Sequence, residues 1–415
     1  MLTSLKVGFF LALRYLRRAN KWSTGLTIFV MMLTFLNLVM VTGILVGLIV
    51  GSEREYTRQY TGDVFVSTYP TEDYIKRSPS VLSIIESLPG IDMYSPRYIV
   101  SGTVEADYQR SAIDRQTSGD RAGGEFAGVN IKRELSLSHI DTEMLEGDFI
   151  AQGDEDMVVM GANLFERYTP GEIGFATLGD VGPGDKIRIT IKGTSREVTI
   201  KGIFKTKAGP TDSRIYMLDT ELRKFINRSD YGLNEIAIRL KPDISAHMIK
   251  DALIRGGAGE YALVRTGAES LGQFLEQIKS TFSLLGNIIG ATALAVASIT
   301  IFIVVFVTAI TRKKFIGILK GIGISGGAIE ISYILLALFY ASVGITLGVL
   351  LLVLVFIPYF NAHPINFPFS DGILAVSAGG TIIRICLIMI TTVIAGYIPA
   401  KLIVRKDALS SMRGQ

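Results

Sequence analysis

The sequence predicts a membrane protein with four transmembrane α-helices and a large extracytoplasmic α+β domain. Three observations carry that prediction. The 80 charged residues among the 415 are absent from five runs, 22–52, 280–311, 331–370, 372–383 and 385–400, and about 20 apolar residues are enough to cross a bilayer. Lys and Arg gather at one side of these runs, and that side is normally cytoplasmic. Between the first two runs lies a 227-residue segment, 53–279, with the charge density of soluble protein and enough chain for its own core.

In residues 1–21, Leu2, Leu5, Phe9, Leu13 and Leu16 recur at three- or four-residue steps among Lys6, Arg14, Arg17 and Arg18. The pattern suits a basic amphipathic helix in the inner interface, or a plain cytoplasmic extension of the first span. That span, 22–52, is too long for a signal-peptide core and lacks an A-x-A-like site before Glu53, so it is expected to stay as an anchor.

The extracytoplasmic domain, 53–279, reads as two similar ends around an insert at about 109–234. The first end has an alternating strand at 63–67, a Ser78-Pro79 helix start, a helix over 81–88 stopped by Pro89-Gly90, and a strand near 98–104. The second repeats the order with a strand at 235–240, a helix to about Arg255 and a strand at 261–265. The insert is mostly β: Pro183-Gly184-Asp185 marks a turn before alternating stretches at 186–192 and 196–204, and a short helix is expected at 220–226. Residues 117–125, with three glycines, read as an exposed loop. The acidic run Asp154-Glu155-Asp156 reads as a solvated loop, with a calcium role as the alternative. A stalk at 269–279 follows from Leu271, Phe274, Leu275 and Ile278, spaced i, i+3, i+4, i+7; with no strong breaker after it, stalk and second span, 280–311, are expected to form one rod.

The cytoplasmic loop 312–330 carries Arg312, Lys313, Lys314 and Lys320, whereas the outer loop 359–372, between the third span (331–358) and the fourth (373–400), has no Lys or Arg. Residues 401–415 are a basic tail. Both termini are therefore expected in the cytoplasm. Segments assigned to the inside carry 13 basic residues against 2 acidic, and 53–279 carries 28 basic against 35 acidic, so the net +4 conceals opposite faces. Arg384 is a charge inside a span, about 12 residues in, with either an interface or cavity role or snorkelling to explain it. Gly286-x-x-x-Gly290 and Gly344-x-x-x-Gly348 would let helices approach closely.

Several chemistries are not expected. A single cysteine, Cys386, forbids an internal disulfide, and His139, His247 and His363 are too scattered to suggest a metal cluster. Residues 321–327, Gly-Ile-Gly-Ile-Ser-Gly-Gly, match both G-x-G-x-x-G and G-x-S-x-G, but those motifs work on a strand–turn–helix in an α/β sheet and this loop has no room for one. No G-x-x-x-x-G-K-[ST] occurs, so the chain is not expected to be an enzyme or to bind a cofactor; nucleic acid is not an expected partner, and membrane lipids are.

The order of parts, with 12–18 (Ala-Leu-Arg-Tyr-Leu-Arg-Arg), the loop 315–323 (Phe-Ile-Gly-Ile-Leu-Lys-Gly-Ile-Gly), the tail from Pro399-Ala400-Lys401, and 181–187 and 202–206 in the outer domain, resembles the permeases of the MacB/LolC/LolE/FtsX-like group of ABC transporters. The resemblance implies a porter-like outer domain with an inserted β part, a separate cytoplasmic ATPase that holds the ATP and Mg, and a second permease, identical or related. It implies docking of the ATPase on the 312–330 loop through a short coupling helix, with Phe315, Ile318 and Leu319 as the apolar face and Gly321 and Gly323 in its turn. Arg312, Lys313 and Lys314 would flank that face or act as inside-positive anchors. The implied work is export or extraction of a hydrophobic or lipid-linked substrate, such as lipoprotein release or efflux. The alternative is an FtsX-like signalling subunit that regulates a cell-wall hydrolase. Arg384 maps onto no role in that group.

Overall fold

The computed structural model describes residues 2–18, 21–108, 120–169, 176–271, 273–311, 313–363, 366–367, 370–371 and 374–404. Contacts divide the chain into two units, one of residues 1–50, 277–366 and 372–415, the other of 51–276 and 367–371.

Helix α1 covers Leu2–Arg17 and α2 covers Lys21–Tyr56. Past the expected end of the span, Glu53, Arg54 and Glu55 keep the backbone helical, and a π-helical turn at Thr57–Thr61 carries it to Gly62, whose φ of +68° ends the helix. An Arg58–Glu55 ion pair of 3.0 Å, one turn apart, supports this extension.

The second unit is a ten-stranded mixed sheet with helices against it. In chain order it contains β1 (Val64–Ser67), α3 (Ser78–Ser87), β2 (Ile91–Glu105), β3 (Arg121–Val129), α4 (Ile131–Ser138), β4 (Met144–Gly147) and β5 (Met157–Gly161). It continues with β6 (Lys186–Ile191), β7 (Thr194–Phe204), β8 (Arg214–Leu218), α5 (Asp219–Phe225), β9 (Glu235–Leu240), α6 (Ala246–Arg255) and β10 (Leu263–Thr266). The two ends interleave: β1 lies between β10 and β9, antiparallel to both, and β9 pairs with β2. Val81 and Ile85 of α3 and Ile249 and Leu253 of α6 bury against Val64, Val66, Ile236 and Ile238.

The insert does not make a sheet of its own. Residues Ile91–Arg97 of β2 pair with β9, Arg97–Glu105 pair with β3 on the other edge, and Thr103–Glu105 also pair with β6. From there the ladder runs β3, β8, β5, β7, β6 and back to β2, which closes a six-stranded ring. Closure removes free edges. Alternate residues fill the ring: Ile187, Ile189 and Ile191 of β6 point into a core with Val198, Ile200, Phe126 and Ile215.

One expected loop proves to be a strand. Within 117–125, residues from Arg121 onward belong to β3, and Gly123 and Gly124 stand opposite Thr103 and Gly102. A Cβ on Gly124 would lie 3.2 Å from Ile215 Cδ1 and 3.4 Å from Leu164 Cδ2, so the glycine admits neighbouring side chains rather than breaking the strand. The expected acidic loop is tied back: Asp154 accepts from the Ala151 N–H at 2.7 Å and pairs with Lys201.

The first unit continues with α7 (Gln273–Thr311), α8 (Lys313–Gly321), α9 (Gly326–Leu351), a π-helical turn at Leu352–Phe356, α10 (Ile357–Ala362) and α11 (Ala378–Val404). Four helical segments, Thr24–Thr61, Lys279–Thr311, Gly326–Ala362 and Ala378–Leu402, are long and apolar enough to cross a membrane. The third begins five residues before the expected 331, because the Ser325 side chain caps α9 by accepting the Ala328 N–H at 3.4 Å. The fourth begins at Ala378 rather than 373, where Ser377 Oγ accepts from the Gly380 N–H at 3.1 Å. Gly344 and Gly348 seat α9 against α2: a Cβ on the former would stand 2.6 Å from Met31 Cβ, and one on the latter 2.5 Å from Phe35 Cδ1. At Gly286 and Gly290 the nearest atoms, Leu45 Cδ1 at 3.3 Å and Leu38 Cδ1 at 3.6 Å, press less tightly.

Candidate functional site: helix α8 and the roots of the long helices

Helix α8 places its residues on two faces. Ile316 and Leu319 are buried with Leu11, Tyr15, Ile329 and Tyr333. Phe315, Ile318 and Ile322 are 43, 50 and 70% exposed, whereas Leu319 is 6% exposed. Leu319 is therefore not part of an outward apolar face: at i+3 from Ile316 it belongs to the inward stripe. Ile322 takes the place expected of it, and the signal was present in its spacing of four from Ile318 and seven from Phe315. Lys314 is exposed. Arg312 and the Lys313 side chain lie outside the described residues.

The turn after α8 explains the two false motifs. Ile324 N–H donates to Leu319 O and Gly323 N–H to Lys320 O, both at 3.0 Å, with Gly323 at φ +92°. That is a Schellman cap, in which a residue with positive φ ends the helix. Ser325 then starts α9, so glycine and serine here serve two helix ends. Gly321 is exposed with open space where a Cβ would stand. Lys320 Nζ donates to Val404 O at the end of α11.

At the other end of the long helices, the stalk differs from expectation at its start. Ala268–Ser270 is a 3₁₀ turn and Leu271 is extended (φ −52°, ψ 122°), so the helix of 269–279 begins only at Gln273. The cause is local: Ser270 Oγ donates to Gly267 O at 2.6 Å, and Glu269 accepts from the Thr266 N–H at 3.0 Å while paired with Lys250 at 2.7 Å. Leu271 packs against the cluster of Tyr56, Tyr60, Phe65 and Leu137 instead. Phe274, Leu275 and Ile278 lie on α7, with side chains outside the described residues. From Gln273 the helix runs 39 residues, about 58 Å at 1.5 Å per residue.

The π turn that ends α2 is held by a buried ionic network for which the sequence offered no signal. Arg97 and Glu134, both fully buried, meet through Nη2–Oε1 at 2.7 Å and Nε–Oε2 at 2.8 Å. Ser95 Oγ donates to the same carboxylate at 2.7 Å, and Arg97 Nη1 donates to Tyr60 O at 2.7 Å. Arg214 grips Glu235 with Nη1–Oε2 at 2.8 Å and Nη2–Oε1 at 2.6 Å, donates to Tyr60 Oη at 3.0 Å, and reaches Glu125 at 3.1 Å. Burial pushes the Glu235 carboxyl up, but the charge and hydrogen bonds of Arg214, the Arg97 charge and the Tyr60 hydrogen bond together hold the group below its ordinary value. The turn has further ties. Gln59 accepts from the Lys207 N–H at 2.7 Å and donates to Glu143 at 3.0 Å, and Arg239 donates to Arg58 O at 3.0 Å. Tyr56 Oη donates to Ser270 O at 3.4 Å, and Gly267 N–H donates to Asp63 O at 2.8 Å, so the end of α2 and the lead into α7 share one anchorage.

Arg384 is the seventh residue of α11, not the twelfth of its helix, because Ser377 sets the start. Its Nη1 lies 2.9 Å from where a Cβ on Gly380 would be, so the side chain folds back along the preceding turn towards the helix start.

An FtsX-like permease C-terminal family model matches residues 287–408. The chain is 24% identical over 202 residues to the macrolide export ATP-binding/permease protein MacB of Campylobacter jejuni, an alignment covering 48% of this chain and 30% of that one. It is 25% identical over 286 residues to the uncharacterized ABC transporter permease MJ1507 of Methanocaldococcus jannaschii, covering 65% of each. The chain thus spans less than a third of the MacB relatives it matches. Among solved structures, the periplasmic region of MacB from Actinobacillus actinomycetemcomitans covers 55% of this chain and 95% of its own, with TM-score 0.34 and 11% identity. The extracellular domain of the ABC-type transporter YknZ from Gram-positive bacteria covers 49% and 98%, with TM-score 0.31 and 11% identity. The chain thus carries an FtsX-like permease C-terminal region over 287–408, has four helices apolar enough to cross a membrane, and is similar to ABC transporter permeases.

Proposed function

We propose that this permease couples ATP hydrolysis in a separate cytoplasmic ATPase subunit to work by its sheet domain on the far side of the membrane. The observation that carries the reading is the division of α8, with Ile316 and Leu319 fixed in the helix core and Phe315, Ile318 and Ile322 exposed. An apolar stripe on a short helix, rimmed by basic residues and firmly backed, suits a docking surface. In this reading both termini and α8 face the cytoplasm, and ATP and Mg reside in the partner. Two permeases, identical or related, pair across the membrane, and the work is export or extraction of a hydrophobic or lipid-linked substrate. The unbroken α7 and the anchored end of α2 provide stiff connections for such coupling.

The test is a tagged full-length chain carrying Phe315→Asp and Ile318→Asp, purified with its ATPase. We expect at least a tenfold drop in recovered ATPase and loss of its stimulation. Unchanged recovery and stimulation would refute docking at α8.

A further inference from the structure

Helix α1 has three faces. Gly8, Leu11, Ala12 and Tyr15 are buried against neighbouring helices, with Ile331 Cγ2 2.8 Å from where a Cβ on Gly8 would be. Leu5, Phe9 and Leu13 form an exposed apolar stripe suited to lipid, and Val7 and Phe10 are exposed as well, on the side of the arginines. Lys6, Arg14, Arg17 and Arg18 are exposed on the remaining side. Arg14 and Arg18, one turn apart, line a cleft of about 290 Å³ whose other walls are Leu11, Tyr15, Phe315 and Leu319. The rings of Tyr15 and Phe315 meet edge to face at 6.1 Å.

Two features say what would fill this cleft. Among the described residues neither guanidinium meets a carboxylate, and no Asp or Glu occurs anywhere in residues 1–52 or 280–329, the segments that build the cleft. A pair of guanidiniums beside an apolar floor matches a carboxylate flanked by an apolar side chain, because the planar fork binds carboxylate oxygens two at a time. A lipid headgroup would offer the charge as well, but Phe315 is both a wall of this cleft and a member of the exposed stripe of α8, so an element seated on that stripe reaches the two guanidiniums. We propose that the α1–α8 cleft is a socket for an acidic element of the partner ATPase, its carboxylate held by Arg14 and Arg18 and its apolar neighbour against Phe315. The inference rests on the docking role of α8 and adds the partner's chemistry and a second helix to it.

The experiment uses the full-length chain in native membranes, with p-benzoylphenylalanine in place of Arg14 or Arg18 and, as controls, Phe9 or Leu13. We expect light to join the first two positions to an acidic peptide of a protein that also carries a P-loop, and the controls to lipid. A crosslink at Arg14 and Arg18 to phospholipid alone, or to residues 405–415 of the same chain, would overturn the socket. In parallel, Arg14→Glu with Arg18→Glu is compared with Phe315→Asp and Ile318→Asp for ATPase recovery, at matched elution volume and helix content. A tenfold or greater loss with the arginine pair, only partly restored by Arg14→Lys with Arg18→Lys because the ammonium keeps the charge without the fork, supports the socket. Loss with the α8 pair alone refutes the socket and leaves α8 docking intact, whereas no loss with either refutes both.

Discussion

Replacing Glu134 by alanine tests how much the buried network contributes. In the native domain its carboxylate accepts three hydrogen bonds, from Ser95 Oγ and from Arg97 Nε and Nη2. Removing it leaves a fully buried guanidinium with Tyr60 O at 2.7 Å and Glu235 at 3.7 Å, the latter already engaged by Arg214. Breaking one partner out of a buried pair costs about 3–5 kcal/mol, against a total of about 5–15 kcal/mol for a typical domain. The substitution should thus remove about a fifth or more of the stability of the sheet domain. Urea unfolding of the full-length chain in detergent, followed by tyrosine fluorescence, gives the difference. Glu134→Leu with Arg97→Met should recover much of the loss, since an apolar replacement of the whole pair strands no charge. The exposed pair Lys76–Glu72 is the control, and Lys76→Ala should cost less than about 1 kcal/mol. A loss below about 1 kcal/mol for Glu134→Ala, or a double variant no better than the single, would refute the argument.

Asp212 is buried, accepts from Thr206 N–H and Oγ1 at 2.7 Å each, and burial pushes its carboxyl up to about 7. The unfolded chain loses this proton near pH 4 and the folded one near pH 7, so stability should fall as pH rises through that window, by up to about 4 kcal/mol at 1.36 kcal/mol per pH unit. Asp212→Asn, which keeps the accepting oxygen without the charge, should flatten the slope when unfolding midpoints are measured between pH 4 and pH 8. Gly344→Val should overpack α9 against Met31 by about 1–3 kcal/mol and lower the melting temperature in detergent, while Gly286→Ala should leave it nearly unchanged. Gly323→Ala forces φ +92° on a residue with a Cβ and should destabilise the α8–α9 turn by about 1 kcal/mol, seen as faster amide exchange at Ile324.

The four apolar helices and both strand–helix–strand ends could be read from the sequence because each depends on a local period: uncharged length for the helices, alternation and Pro-Gly stops for the ends. Failures occurred where a distant neighbour decides. Gly124 looks like a loop residue until Ile215 of β8 and Leu164 occupy the space its missing side chain leaves. Leu319 reads as part of an apolar face, but only the position of α1 and α9 says which way that face turns. The depth of Arg384 was misjudged because Ser377, not the start of the apolar run, sets the first turn of α11. The network of Tyr60, Arg97, Glu134, Arg214 and Glu235 joins residues up to 175 positions apart, and no spacing rule connects them.

The position of β1 has a consequence for how the protein is made. Its two ladder partners lie far downstream, with Val64 opposite Ile238 on one side and Thr266 on the other. Until β9 has been synthesised, with Ile238 174 residues beyond Val64, this short strand has nothing to pair with, and its second edge waits for Thr266. The closed ring of β2, β3 and β5 to β8 contains all its own strands and can form while translation continues, so the domain has an early-folding and a late-folding part. Long-range pairings of this kind are slow and leave strand edges unprotected meanwhile. Conditions that stall synthesis before β9 should therefore yield a chain whose ring is sound and whose first strand is open to proteases and to pairing with other chains.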